Sequence, residues 1–475
     1  MKALLLPEPE LEFGVGGRHI DIRFGLMQYG PLDLTNQSAP RKIRVGVAGT
    51  SAGVEGARAW LEKCRGEIAR KVSRQPTLFP RFPGFAPDRA FHSTLVFAAQ
   101  SERPIPARLF ARSDGQRTED YVRASVDAFI VEIGHLKDAE QVDVVVCVVP
   151  PELVELRAAG TDVGRHGSSA LDFHDLLKAR AMDVGLPVQL IMPSTYDDTK
   201  RRKQKARPDR VRQLQDEATR AWNIHTAVYY KAGGLPWRLT RDPAQLTTCF
   251  VGVSFYASLD RARLLTSMAQ IFDERGDGIV VRGGPVEVDK FDRTPHLGAE
   301  QARALLADAL TRYRSEHRTL PARVVAHKTS GFSEAEIDGF QGAATEAHVD
   351  SIDLVSISSD DPAHLFRHGA YPPLRGTLLE LEDQVRVLYT RGSVDFFRTY
   401  PGLYVPRPLM FACAVAEQTP NHLALEILAL TKMNWNHTQF DAGDPITTEA
   451  ARKVGRILKH VAENGRVAPR YSYYM

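Results

Sequence analysis

Continuous apolar runs and helical periodicity alternate along the first half of the chain. "IRVGVAG" (43–49), "VDVVVCVVP" (142–150) and "PVQLIMPS" (187–194) are short stretches of the kind that form strands buried on both faces. Between them lie the amphipathic stretches "VEGARAWLEKCRGEIARKV" (54–72) and "SSALDFHDLLKARAMDVG" (168–185), whose apolar positions recur at helical spacing. That order predicts a parallel sheet with crossover helices, an α/β, Rossmann-like layer.

The second half opens with a strand, "TTCFVGVSFYAS" (247–258), and then hairpin strands in "LLTSMAQIFDERGDGIVVRGGPVEV" (264–288), with turn residues around Arg275 to Gly278. A long amphipathic helix is predicted over 299–317, then a strand in "ARVVAHKTS", a helix from about Ser333, and a strand in "IDLVSIS". Hairpin strands followed by alternating helices and strands are the pattern of an RNase H-like domain. The change of pattern falls near Leu235 to Arg241, which divides the chain into 1–236 and 237–475.

Composition narrows the function classes. A chain of 475 residues, 43% hydrophobic, is long enough for two or three buried cores. Its 61 Lys and Arg against 58 Asp and Glu give a net charge of only +3, so any polyanion site must come from local clustering. One such cluster stands out. Lys200, Arg201, Arg202, Lys203, Lys205, Arg207, Arg210 and Arg212 crowd one short segment with a single acid, Asp209. The four cysteines are scattered, and two sit in apolar runs, which suits buried thiols in a reducing cytoplasm. "MKALLLPEPELEF" is too short in apolar residues for a signal peptide, and no stretch approaches a membrane span. The turn "AGTSAGVEGA" (48–57) lacks both the Gly-Lys-Ser/Thr ending of a phosphate loop and the dinucleotide spacing, so it reads as tight strand-to-helix packing; a nucleotide-binding regulator built on it is the competing class.

An RNase H-like nuclease needs carboxylates converging on two magnesium ions. They belong in the first strand and at the end of the strand before the later helix. The first strand carries Ser254 and the second ends at Thr329, and neither has an acid. Neutral hydroxyls do not replace two hard anionic ligands. Glu287, Asp289 and Glu426 are what remains for a guided nuclease with displaced ligands.

Taken together, these residues resemble a short prokaryotic Argonaute, a MID domain followed by a PIWI domain. The resemblance spans nearly the whole chain. It rests on "FGVGGRHIDIRFGLMQYGP", "YDDTK", "YYKAGGLPW", "FVGVSF", "VVAHKTSGF", "LTKMNWNHTQFDAGDPITTEAARKVGRIL" and the terminal "YSYYM", in that order. Active members have Asp where this chain has Ser254 and Thr329, so the resemblance implies a PIWI domain that does not cut.

The resemblance further implies that the MID domain anchors the 5′ phosphate of a guide strand through Tyr196, Lys200, a glutamine and Lys231. Gln213 fits the glutamine best by spacing, with Gln215 as the alternative. The carboxylate of Met475 would help hold a magnesium ion against that phosphate. Guide and target backbone contacts fall to Arg207, Arg210, Asn434, Asn436, Arg452 and Lys453, with Trp435 as core. Thr447 or Thr448 reads as the cap of a helix with Glu449 in its first turn. The implied partners are a short guide RNA, a complementary single-stranded DNA target, and a protein carrying an APAZ region fused to a sirtuin-like, TIR or nuclease effector.

Overall fold

The computed structural model describes residues 2–139, 141–160, 171–197, 215–241, 244, 246–260, 262–272, 278–288, 294–359, 364–382, 385–397, 400, 405–440, 442–462 and 465–475. Among them no helix is long and apolar enough to cross a membrane.

The first half is built on a parallel sheet in the order Thr94–Val96, Lys42–Gly49, Val144–Val148, Val188–Ile191, with Glu102–Pro104 pairing the far end of Lys42–Gly49. The apolar runs form strands because both sheet faces are covered. Val144, Val146 and Val148 face the helices Ser51–Lys63 and Glu217–Lys231, while Val145 and Cys147 face Thr118–Ala139 and Phe173–Val184. The helix Phe173–Val184 starts where the Asp172 carboxylate accepts from the Asp175 amide, and it ends at Gly185 in the left-handed region.

One amphipathic stretch is shorter than its periodicity predicts. The helix Ser51–Lys63 stops well before Val72, because Cys64 closes it and Gly66 follows. Ile68 then turns to exchange backbone hydrogen bonds with Phe82, and Val72 is left 99% exposed.

The second half is a mixed sheet of ten strands. Its centre is three parallel strands, Thr248–Ala257, Arg323–Lys328 and Ser351–Ser358, flanked by the antiparallel hairpin Leu264–Phe272 and Ile279–Val288 on one side and by Leu409–Val415, Val385–Leu388 and Thr377–Glu382 on the other. The helix Ala299–His317 and the helix Glu334–Glu346, the latter opened by a Ser333/Glu336 capping box, cover one face over Cys249, Val251, Val253, Val324 and Ala326. The helix Ile446–Leu458 covers the other face over Phe250 and Val325. It lies so close that a Cβ on Gly252 would stand 2.0 Å from the Thr447 carbonyl oxygen. The cap of this helix is Pro445, with Thr447 and Thr448 buried inside the first turn; the Thr447 hydroxyl is used by His327, 2.8 Å away, which is why the sequence misleads at this point.

Two features join the halves. The strand Lys2–Leu5 crosses to the edge of the large sheet and pairs with Thr377–Glu380. A single apolar cluster runs from Val144, Trp60 and Trp222 through Trp435 and Tyr230, stacked at 4.7 Å, to Phe250, Val454 and Tyr474. The two halves therefore share one close-packed core.

Candidate guide-end site

Tyr196 ends a four-residue helix, Pro193–Tyr196, that follows the strand Val188–Ile191 at the C-terminal edge of the parallel sheet. Its ring packs against the first turns of Ser51–Lys63. A Cβ on Gly56 would meet Tyr196 Cε2 at 2.5 Å, and one on Gly53 would come within 3.6 Å of the hydroxyl. The glycines of the "AGTSAGVEGA" turn thus make room for an aromatic ring, and burial pushes the Tyr196 hydroxyl above its ordinary pKa. Gly56→Ala should displace the ring at a cost of about 1 kcal/mol or somewhat more, while alanine favours the helix by a similar amount. We expect thermal stability to change little and guide affinity to fall about five- to tenfold. Unchanged affinity in a direct binding titration would show that the seated ring does not serve the guide.

Lys231 is the last residue of Glu217–Lys231 and is only 5% exposed. Its Nζ donates to Gln189 Oε1 at 2.5 Å, an uncharged partner. Burial, reinforced by the nearby Lys453, pushes its ammonium down to about 7. A second buried lysine, Lys178, lies on Phe173–Val184 at 3% exposure, with the Tyr474 carbonyl oxygen 3.4 Å from its Nζ. Burial holds its pKa well below the ordinary lysine value, and Lys231, Lys453 and Arg456 lower it further against the weaker pull of Asp175. Among the described residues no carboxylate hydrogen-bonds or ion-pairs with either ammonium. Lys453 has one, Glu449, at 2.9 Å.

The chain end closes this space. Tyr471, Tyr474 and Met475 are almost completely buried, Tyr473 donates to the Gly185 carbonyl at 3.1 Å and Tyr474 to the Ala468 carbonyl at 3.0 Å. The structure therefore brings together Lys231, the chain end and the helix Ile446–Leu458, and adds Lys178 and Gln189. Lys178 had a signal in the sequence, a lysine inside the apolar stripe Leu176, Leu177, Ala181, Met182; Gln189 had none. Lys200, Arg207, Arg210 and Gln213 lie outside the described residues. Gln215 lies within them, and its Oε1 accepts from Asn223 at 2.9 Å.

Asn434 and Arg452 already use their side chains within the protein, although the Arg452 side chain stays 41% exposed. Asn434 is buried and its amide donates to Glu449 at 2.9 Å, Asn436 bonds through its main-chain N–H to Asn434, and Arg452 pairs with Asp444 at 2.7 Å. Trp435 is core.

Ser254, inside the strand Thr248–Ala257, and Thr329, just past the end of Arg323–Lys328, are neighbours across the parallel pair, where Val253 is in register with Lys328 and the Thr329 amide donates to the Val253 carbonyl at 3.2 Å. The acid near them, Glu336, is fully buried and bound to Lys328 Nζ at 2.6 Å, to His296 at 3.1 Å and to the Leu297 amide at 2.9 Å. Glu426 belongs to another network. It binds Arg323 Nη1 at 2.6 Å, and Arg323 also binds Asp353. Asp289 and the side chain of Glu287 lie outside the described residues. Among the described residues, the one group of His, Cys, Asp or Glu side chains with metal-ligand spacing is Asp172, His174 and Asp175, at the start of Phe173–Val184.

No family model matches the chain, and no curated protein matches it. Solved structures do. Clostridium butyricum Argonaute bound to a guide DNA and a 19-mer target DNA superposes with a TM-score of 0.63 at 15% identity, over 98% of this chain and 54% of that one. Drosophila Piwi gives 0.60 at 14% identity over 99% and 56%, and the A. aeolicus Argonaute with externally bound siRNA gives 0.61 at 13% over 99% and 55%. The fold is Argonaute-like, a Rossmann-like and an RNase H-like layer joined as MID and PIWI domains are. The chain spans about half the length of these structures.

Proposed function

We propose that the chain holds the 5′-phosphorylated end of a short guide RNA between its two halves, pairs that guide with single-stranded DNA from a plasmid or phage, and switches on an associated APAZ-effector protein without cutting the target. One observation carries the proposal: two buried lysines, Lys178 and Lys231, lie near enough to each other and to Lys453 to lower one another's pKa, and among the described residues no side-chain carboxylate bonds either of the first two. Burial disfavours the charged form of both amines, and an anion that enters restores it. A terminal phosphate supplies the charge, and the Tyr196 ring supplies a stacking face for the first base. Base pairing then reads the sequence while the protein holds phosphates. The likeness to an Argonaute bound to guide and target DNA supports this reading.

Ser254 and Thr329 support the absence of cleavage. The test is co-expression with the product of the adjacent reading frame, followed by sequencing of the nucleic acid that co-purifies. The expected outcome is a stable heterodimer holding short 5′-phosphorylated RNAs that, given a matched single-stranded DNA, consumes NAD or degrades nucleic acid through the partner. The guide-loaded chain alone should leave the matched target intact in magnesium or manganese. Cutting at one defined phosphodiester would overturn the inactive assignment, and separate monomers at every salt concentration would overturn the partnership.

A further inference from the structure

A cavity of about 450 Å³ lies where the small sheet of Arg18–His19, Leu11–Glu12 and Arg238–Leu239 meets the helix Pro420–Leu430 and the first residues of the strand Thr248–Ala257. Tyr196, Lys178, Lys231 and Lys453 do not line it, so it is separate from the guide-end site. Its volume falls in the range of small-molecule sites. One face of the helix supplies a wall, because His422, Leu425, Glu426 and Ala429 recur at three and four residues. Phe250, only 4% exposed, adds an aromatic surface, and Leu239 and Pro9 lie across from the helix. The N-terminal wall is pinned in place. Glu8, between the lining residues Pro7 and Pro9, bonds Arg375 at 3.0 Å and Lys432 at 2.6 Å, and Arg238 bonds Glu12 at 2.8 Å. The cavity is therefore formed before any ligand arrives.

Its charges are unevenly met. The Glu426 carboxylate is already held by Arg323 at 2.6 Å and by His422 at 3.2 Å, and that second bond raises the His422 pKa above its ordinary value. The lining then has two arginines, Arg18 and Arg241, against Glu10. Arg18 is exposed at the rim and makes no ion pair or side-chain hydrogen bond with any described residue. Apolar walls beside an uncommitted guanidinium fit a ligand with a flat apolar body and one anionic group. We infer that this cavity binds a small aromatic anion, its rings against Phe250 and Leu425 and its carboxylate or phosphate on Arg18. Such a ligand touches the junction between the two halves without using any residue of the guide-end site.

The test uses two dyes that share an apolar body, anilinonaphthalene sulfonate with one negative charge and phenylnaphthylamine with none. In fluorescence titrations of the purified full chain, the sulfonate should bind at a single site with a dissociation constant on the order of 10 to 100 µM, about five- to tenfold tighter than the neutral dye. Arg18→Gln should remove that difference and leave the neutral dye as before. Ala429→Phe, which fills the cavity, should weaken both dyes by at least about tenfold in a chain that still folds and binds guide. Equal affinity for the two dyes in wild type, or undiminished binding in folded Ala429→Phe, would overturn the inference. Displacement of the sulfonate dye by adenosine monophosphate would place the ligand among nucleotides, and displacement by indole acetate alone would place it among aromatic carboxylates. If neither displaces it at millimolar concentration, the inference fails. Guide affinity of Arg18→Gln, read in parallel, should stay within about twofold of wild type. A loss matching that of the dye would assign Arg18 to nucleic acid and remove the small-molecule site.

Discussion

Lys231→Ala should weaken binding of a 5′-phosphorylated guide by about ten- to a hundred-fold and leave a 5′-hydroxyl guide within about twofold of wild type, because a charge-assisted contact to phosphate is worth roughly 1.5 to 3 kcal/mol. The same lysine gives the pH dependence a definite sign. Burial and Lys453 hold its ammonium at about 7, so above that pH the empty protein carries a neutral amine that must take up a proton when phosphate enters. Affinity for the phosphorylated guide should fall as pH rises from 7 to about 9, by up to tenfold per unit for each proton taken up, and the hydroxyl guide should show no such slope. The folded pKa lies below the unfolded value, so between about 7 and the ordinary lysine range the unfolded chain binds more protons and the empty protein gains stability with rising pH. Binding titrations of both guides at three pH values and one ionic strength decide the matter. Equal losses for both guides on Lys231→Ala would reduce the groove to a general polyanion patch. Arg207→Ala or Arg210→Ala, in the basic block, should lower both affinities alike and flatten their salt dependence.

Arg323→Ala should destabilise the protein by about 3 to 5 kcal/mol, since removing one member of a buried ion cluster strands its partners. Arg323 is 3% exposed and holds Asp353, itself fully buried, at 2.7 Å and Glu426 at 2.6 Å. Burial by itself would raise the Glu426 carboxyl, but hydrogen bonds from His422 and Arg323 bring it below its ordinary range. In wild type that lowered pKa contributes stability above the unfolded carboxylate pKa, lost as pH falls through the folded value. Without the guanidinium the Glu426 carboxyl becomes easier to protonate when folded, so the folded state then binds the extra proton and the deficit shrinks on acidification from pH 7 toward 5. Chemical denaturation of both proteins at the two pH values tests this. A loss below about 1 kcal/mol at pH 7 would mean that water reaches the acids and that the cluster is not a dry core element.

Much of the fold can be read without coordinates because its central strands are buried on both faces. "VDVVVCVVP" and "ARVVAHKTS" have no other stable use, and the helix at 299–317 has the residues of its own cap and stripe. Pairings across hundreds of residues leave no such trace. Nothing in "KALL" names Thr377–Glu380 as its neighbour, and the helix after Thr50 looks long only because an apolar residue, Ile68, serves a bridge to Phe82. The site divides in the same way. Tyr196 and Lys231 are legible from local spacing, whereas Lys178 gains its meaning from a chain end 296 residues away. Thr447 mimics a cap because a hydroxyl suits a helix start as well as it suits the ring of His327.

The strand Lys2–Leu5 has one further consequence, for synthesis. Its partner is Thr377–Glu380, so it has no sheet to join until nearly four-fifths of the chain has been made. At about 5 to 20 residues per second that interval is roughly 20 to 75 s. During it "ALLL" trails behind the ribosome as an unpaired apolar segment, flanked by Lys2, Pro7, Glu8, Pro9 and Glu10. Charges and prolines at those positions keep such a segment from joining neighbouring nascent chains, which gives this stretch a duty before the guide groove exists.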